Sequence, residues 1–160
     1  DELAGAMKRE ERLRMLLDGS DSQWDHVLID CPPNLGVLVD NAIVAAPNVL
    51  IPAQAKTTSK RAINLLFKQL RAIESAFGEI DELGLVANEV GVDGEADGMM
   101  AWFKDIFEDK HGREVFEIRK RVALQRAWNN GVSIFGHDED CDMEAEYQRI
   151  AAHIEEVADE

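Results

Sequence analysis

The residues best suited to chemistry are Val27-Leu28-Ile29-Asp30-Cys31-Pro32-Pro33-Asn34, an apolar run that ends in one carboxylate and then stiffens. Parallel sheets bind ligands at the carboxyl ends of their strands. A carboxylate placed there can hold Mg²⁺ directly or through water, and two consecutive prolines make the next loop rigid enough to respond to a terminal phosphate. The plainer alternative keeps Asp30 as a cap for the next helix and the prolines as a strand stop. Other sets are weaker. His26, His111, His137 and His153 are scattered with no pair at i,i+4. Asp138-Glu139-Asp140-Cys141-Asp142 lacks the glycine and spacing of an EF-hand and reads as a solvated loop ahead of the last helix. Cys31 and Cys141 lie far apart without CxxC or Cys/His spacing, which points to a reducing cytoplasm and to neither a zinc site nor a disulfide framework.

Asp30 needs a scaffold, and hydrophobic periodicity supplies one. Residues 3–17 carry Leu3, Ala6, Met7, Leu13, Leu16 and Leu17 at helical spacing, stopped by Gly19. Trp24 to Asp30 reads as a buried strand, Leu35–Ala46 as a helix ended by Pro47, and Val49-Leu50-Ile51-Pro52 as a second strand. Thr57, Thr58 and Ser59 offer a cap to a helix with Ile63, Leu66, Leu70, Ile73 and Phe77 on one stripe, closed by Gly78. Leu83–Asn88 is a third strand and Gly91–Gly98 a mobile loop. A helix then runs through Met99, Phe103, Ile106 and Phe107, whose aromatic face is expected in the core. Val115-Phe116-Glu117-Ile118 is a fourth strand, Val122–Asn130 a short helix, and Met143, Tyr147, Ile150, Ile154 and Val157 mark the last helix. Short apolar strands alternating with helices predict an α/β fold, a doubly wound and mostly parallel sheet with flanking helices.

Composition sets the limits. The chain has 160 residues, 46% of them hydrophobic and 31% charged, enough for a globular core in one domain over 1–160. Its 32 acids against 17 bases give a formal charge of -15. Because the acids are spread over helix faces, a salt-rich, halophilic cytoplasm is favoured over simple repulsion of nucleic acid. Apolar stretches break long before the ~20 residues that span a bilayer, so no membrane segment is expected. The chain opens at Asp1-Glu2 without an initiator methionine or a charged-then-apolar leader, so a piece of a longer protein without a secretory signal is expected.

Trp24 to Gly36, Asn41-Ala42, Val49 to Gln54, Gly84 to Asn88, Ile118 to Ala127, Gly131 to Ile134 and Glu146 to Ala151 follow one another in an order that resembles the ParA/Soj family of deviant Walker partitioning ATPases. The resemblance covers residues ~22–157 and implies a partial P-loop NTPase fold acting in plasmid partition or chromosome segregation. On it, Asp30 is the Walker B carboxylate ordering Mg²⁺ through water. Cys31, Pro32, Pro33, Asn34 and Gly36 form the switch segment, and Asn88 contacts the adenine of ATP. Asn41 serves the switch network or is simply a buried amide satisfied by backbone. Relatives usually carry an acid where Lys56 stands. They also begin with a strand and a glycine-rich loop bearing two lysines, and none of the 11 glycines here lies in a GxxxxGK[ST] arrangement. The resemblance therefore implies a ParA-like domain truncated at its amino end, which alone lacks the phosphate cradle needed for hydrolysis.

Arg113, Arg119, Lys120, Arg121 and Arg126 form a stretch where bases outnumber acids, and the resemblance makes Arg119, Lys120, Arg121 and Arg126 a candidate non-specific DNA contact. The competing reading is a surface paired locally with Glu114 and Glu117. The implied partners are a second ParA-like chain in a homodimer or heterodimer, a ParB-like adaptor and DNA. A non-hydrolysing paralogue that modulates a full-length relative is the alternative. A MinD-like positioning ATPase is disfavoured by the acidic, base-poor final helix.

Overall fold

The computed structural model describes residues 8–21, 24–137 and 140–158 and divides them into two compact units. One comprises Asp1–Val49 and Arg61–Glu82, the other Leu50–Lys60 and Leu83–Glu160. The architecture is α/β. Its elements are α1 (Arg12–Asp18, after a 3-10 turn Arg9–Glu11), α2 (Val37–Ala45), β1 (Asn48–Gln54), α3 (Ser59–Phe77), β2 (Asp81–Val90), α4 (Gly94–Lys104), β3 (Glu114–Arg119), α5 (Val122–Asn129) and α6 (Met143–Ala158). The sheet is parallel, in the order β1-β2-β3, with helices in the crossovers. No helix among the described residues is long and apolar enough to cross a membrane.

In the first unit the expected helix over 3–17 is present from its second half; residues 1–7 lie outside the described residues. Asn41, the buried polar side chain of this unit, fastens α1 to α2. Its Oδ1 accepts the Leu13 N–H at 3.2 Å, an orphan donor of α1's first turn, while its Nδ2 donates to the Arg9 carbonyl and, at 2.8 Å, to Val37. Gln69 of α3 donates to Asp40 of α2 at 2.6 Å. Val39, Ala42, Ile43 and Val44 of α2 and Ile63, Phe67, Leu70 and Ile73 of α3 are buried. Gly78, at φ 118°, ends α3 where an L side chain is strained.

In the second unit β2 and β3 pair from Gly84 opposite Glu114 to Val90 opposite Arg119, with a bulge between Ala87 and Val90. Gly84 is required twice over: its φ is 150°, and a Cβ there would sit 2.5 Å from the Glu114 carbonyl oxygen. Pro52 lies in β1, an edge strand, where a missing N–H is tolerated. Phe103, Phe107, Phe116, Leu85, Met99 and Ile118 are almost wholly inaccessible. Helix α6 closes the outer edge of β3 with residues three apart on one face. Met143 Sδ accepts the Arg119 N–H at 3.0 Å, Glu146 accepts the Glu117 N–H at 2.9 Å, and Arg149 donates to the Val115 carbonyl at 3.3 Å. An unpaired strand edge is thereby made unavailable to another chain.

Two expectations are corrected. Residues 24–30 form no strand: the segment has no regular secondary structure, Leu28 is 80% exposed, and no described strand offers it a ladder. An apolar run becomes a strand only when neighbours take its N–H and C=O groups. The expected mobile loop Gly91–Gly98 is helical from Gly94, because Asp93 accepts the Ala96 N–H at 2.9 Å and caps α4. That cap outweighs the low helix propensity of Gly94 and Gly98. Helix α4 continues as a π-helical turn, Asp105–Lys110, which buries Phe107.

Candidate functional site

Asp30 stands at the end of the unpaired segment, exposed, with Cys31, Pro32, Pro33, Asn34 and Gly36 exposed after it. The two prolines hold the chain out of helix until Gly36, whose carbonyl accepts the Asp40 N–H at 3.0 Å and starts α2. The Cys31 thiol is pushed up by its partial burial and then by the Asp30 charge beside it, so it stays protonated at neutral pH. As donor chemistry, Asp30 is one hard oxygen ligand of the kind Mg²⁺ takes. Among the described residues, no group of three His, Cys, Asp or Glu is placed to hold a metal ion.

Asn88 and the basic residues belong to the second unit, where Asn88, Arg119 and Lys120 lie at the carboxyl ends of β2 and β3. Asn88 is exposed on β2 at the bulge, immediately before Glu89, which is held at φ 52°. Such a conformation in a non-glycine residue is sparsely populated and persists only where neighbours enforce it. Gln54, at the end of β1, donates through Nε2 to the Glu89 carboxylate at 2.7 Å. The Lys120 N–H donates to the Val90 carbonyl at 3.1 Å, so the basic loop leaves the sheet two residues beyond Asn88. Nearby, the Thr57 N–H and hydroxyl both donate to Glu95, at 2.9 and 2.7 Å, holding that carboxyl below its ordinary value. Gln54, Glu89 and Glu95 carry no role in the sequence reading, and Thr57 enters it only as a helix cap. The strain at Glu89 leaves no sequence signal, whereas Gln54 lies inside a block that the resemblance already covered.

The basic stretch is partly engaged. Arg119 Nε donates to Glu117 at 2.7 Å, and Arg121 grips Asp142 through Nε and Nη2 at 2.8 and 2.6 Å. Each side of the latter pair shifts the other: the carboxylate raises Arg121, and the guanidinium lowers Asp142. Lys120 and Arg126 are exposed. Asp142, expected in a loop capping α6, sends its carboxylate to Arg121; Asp138 and Glu139 lie outside the described residues.

Residues 1–81 match a family model described as "AAA domain". The chain is 28% identical over 155 residues to the chromosome-partitioning ATPase Soj of Treponema pallidum, covering 96% of this chain and 60% of that protein. It is 34% identical over 73 residues to the sporulation initiation inhibitor protein Soj of Bacillus subtilis, covering 46% of this chain and 29% of that one. Among solved structures it is similar to cobyrinic acid a,c-diamide synthase from Mycobacterium smegmatis with bound ADP and magnesium, at 25% identity and a TM-score of 0.62, over 81% of this chain and 58% of that one. The chain thus spans about three-fifths or less of the length of these relatives.

Proposed function

We propose, from the premise that this chain belongs to the AAA domain family and within it to the ParA/Soj partitioning ATPases, that it is the carboxyl-side part of an ATP- and Mg²⁺-dependent positioning motor. The observation that carries this reading is the segment Trp24–Asp30. Its Val27-Leu28-Ile29 run is apolar, Val27 and Leu28 are exposed, and it ends in a carboxylate. Such a segment is complete only when a strand beside it supplies a ladder, and no described strand does so.

The residues present fit part of what nucleotide chemistry requires. Asp30 offers the oxygen that orders hydrated Mg²⁺, Cys31–Gly36 a stiff loop able to sense a phosphate, and Asn88 an amide with both donor and acceptor for a purine edge. The chain supplies no glycine-rich amide cradle and no P-loop lysine, so no hydrolytic step is assigned to it alone. Nucleotide-dependent dimerisation, a ParB-like adaptor and DNA binding through Arg119, Lys120, Arg121 and Arg126 complete the reading, and the acidic surface suits a salt-rich cytoplasm. Phosphate contacts of this kind position without reading sequence, so alanine at 119, 120 and 121 weakens binding equally on all duplexes.

Calorimetric titration of this chain with Mg-ATP tests the division of labour. The expected Kd is weaker than about 1 mM, and micromolar affinity overturns it. Reading the encoding DNA upstream of Asp1 separates the two forms of the proposal. An in-frame Lys-Gly-Gly loop supports the motor, and its absence supports a non-hydrolysing paralogue that pairs with a complete relative.

A further inference from the structure

The loop after β3 is the natural landing place for a phosphate, yet an acid of the same chain already occupies it. Arg121 is the residue at which α5 begins, and it contributes no side-chain cap to that helix. Helix starts attract anions, and here Arg119 and Lys120 precede the start. The Asp142 carboxylate instead takes the guanidinium in a two-point grip at 2.8 and 2.6 Å. This fork-to-carboxylate geometry is the one a phosphate would use. The pair is not buried: the Asp142 side chain is 57% exposed and that of Arg121 33%. Exposed pairs contribute little to stability, so a phosphate can displace the carboxylate without unfolding anything. Lys104, Arg119 and Arg149 line one surface groove together with Glu108, Glu117, Asp142 and Glu146, so Asp142 is one of four acids set against three cations there.

We infer that Asp142 is a built-in competitor for nucleic-acid phosphate at Arg121, so that the basic segment is masked in the free chain and unmasked when a phosphodiester replaces the carboxylate. The inference rests on the DNA-binding reading above and adds its regulation. The fastening reaches further, because the next residue, Met143, accepts the Arg119 N–H at 3.0 Å.

The test is equilibrium binding of a random-sequence duplex by wild type, Asp142→Asn, Glu144→Gln and Arg121→Ala/Asp142→Asn, each shown to be folded by its melting curve. Asp142→Asn is expected to bind about three- to tenfold more tightly, as release of an exposed ion pair allows. Its log-log salt slope should be steeper by about one. Glu144→Gln removes the same charge from the same end of α6 without touching Arg121 and is expected to change affinity far less. The gain from Asp142→Asn is expected to vanish in the Arg121→Ala background. If wild type binds and Asp142→Asn matches either wild type or Glu144→Gln, the competitor role is wrong while DNA binding stands. If no variant binds, the DNA reading itself fails and takes the inference with it.

Discussion

Trp24–Asp30 and Leu83–Asn88 are nearly the same kind of sequence, yet the molecule treats them in opposite ways. Each is a short apolar run ending in a polar residue suited to a ligand. In β2, Leu85 and Ala87 are fully inaccessible and Gly84 lies against the β3 backbone. In the other run Trp24 is 57% exposed and Leu28 80%. The difference teaches that strand formation belongs to the sheet and not to the segment. β2 has β1 on one side and β3 on the other, and the Asp30 run has no described strand on either. The chemistry each run could perform follows suit. Asn88 sits at a bulge beside Glu89 at φ 52°, whereas no described strand flanks the run that ends in Asp30.

Substitutions around the two runs measure this contrast, with the largest effect first. Phe116→Ala, in the strand paired with β2, is expected to cost about 3–5 kcal/mol through lost burial and a residual cavity. Gly84→Ala is expected to cost at least ~2 kcal/mol, because the strained φ and the clash with Glu114 add. Leu28→Ala is expected to stay within about 0.5 kcal/mol in this chain. Denaturant midpoints at constant m-value read all three. A large loss at Leu28 would mean that the run is packed in solution and the contrast is false.

A smaller effect sharpens the picture inside the first unit. Asn41→Ala removes the acceptor for the Leu13 N–H and the donor to the Arg9 and Val37 carbonyls, and is expected to cost about 1–3 kcal/mol. Its three backbone bonds make it the pin between α1 and α2, which is the structural alternative for this residue. A variant of unchanged stability would free Asn41 for the switch network.

Much of the fold was legible beforehand. Six of the expected elements follow directly from period and punctuation: α2, β1, α3, β2, β3 and α6 match apolar stripes bounded by Pro47, Gly78 or a capping residue. Failures came where a decision lay outside the window being read. The Trp24–Asp30 run needed partners that no periodicity reveals, and α4 began early because one Asp93 side chain outweighed two glycines. The site was legible as residue types only. The sequence placed Arg119, Lys120 and Arg121 in a basic stretch, but the acid gripping Arg121 lies 21 positions away, just before α6. Side-chain pairing at that separation is a product of topology, as is the edge closure by Met143, Glu146 and Arg149.

The smallest effect concerns the second unit's surface carboxylates, whose sign can be worked out. Backbone and hydroxyl donation from Thr57 holds Glu95 below the ordinary 4.5, and Arg121 holds Asp142 below the ordinary 3.8. A carboxyl whose folded value is lowered stabilises the fold fully above its unfolded value and loses that contribution as pH falls through the folded one. Acidification from pH 6 toward pH 3 should therefore erode stability through these two groups. The excess of 32 acids over 17 bases acts the other way over the same range, since protonation relieves repulsion. Salt separates the opposing terms: repulsion among exposed charges is screened, while hydrogen bonds from Thr57 to Glu95 are far less so. In 1 M salt, Glu95→Gln should flatten the acid limb of the stability curve measurably, and Asp142→Asn should flatten it less, because its partner is a screened guanidinium. Equal flattening by both would show that charge alone, and not donation from the Thr57 backbone, holds this end of the sheet.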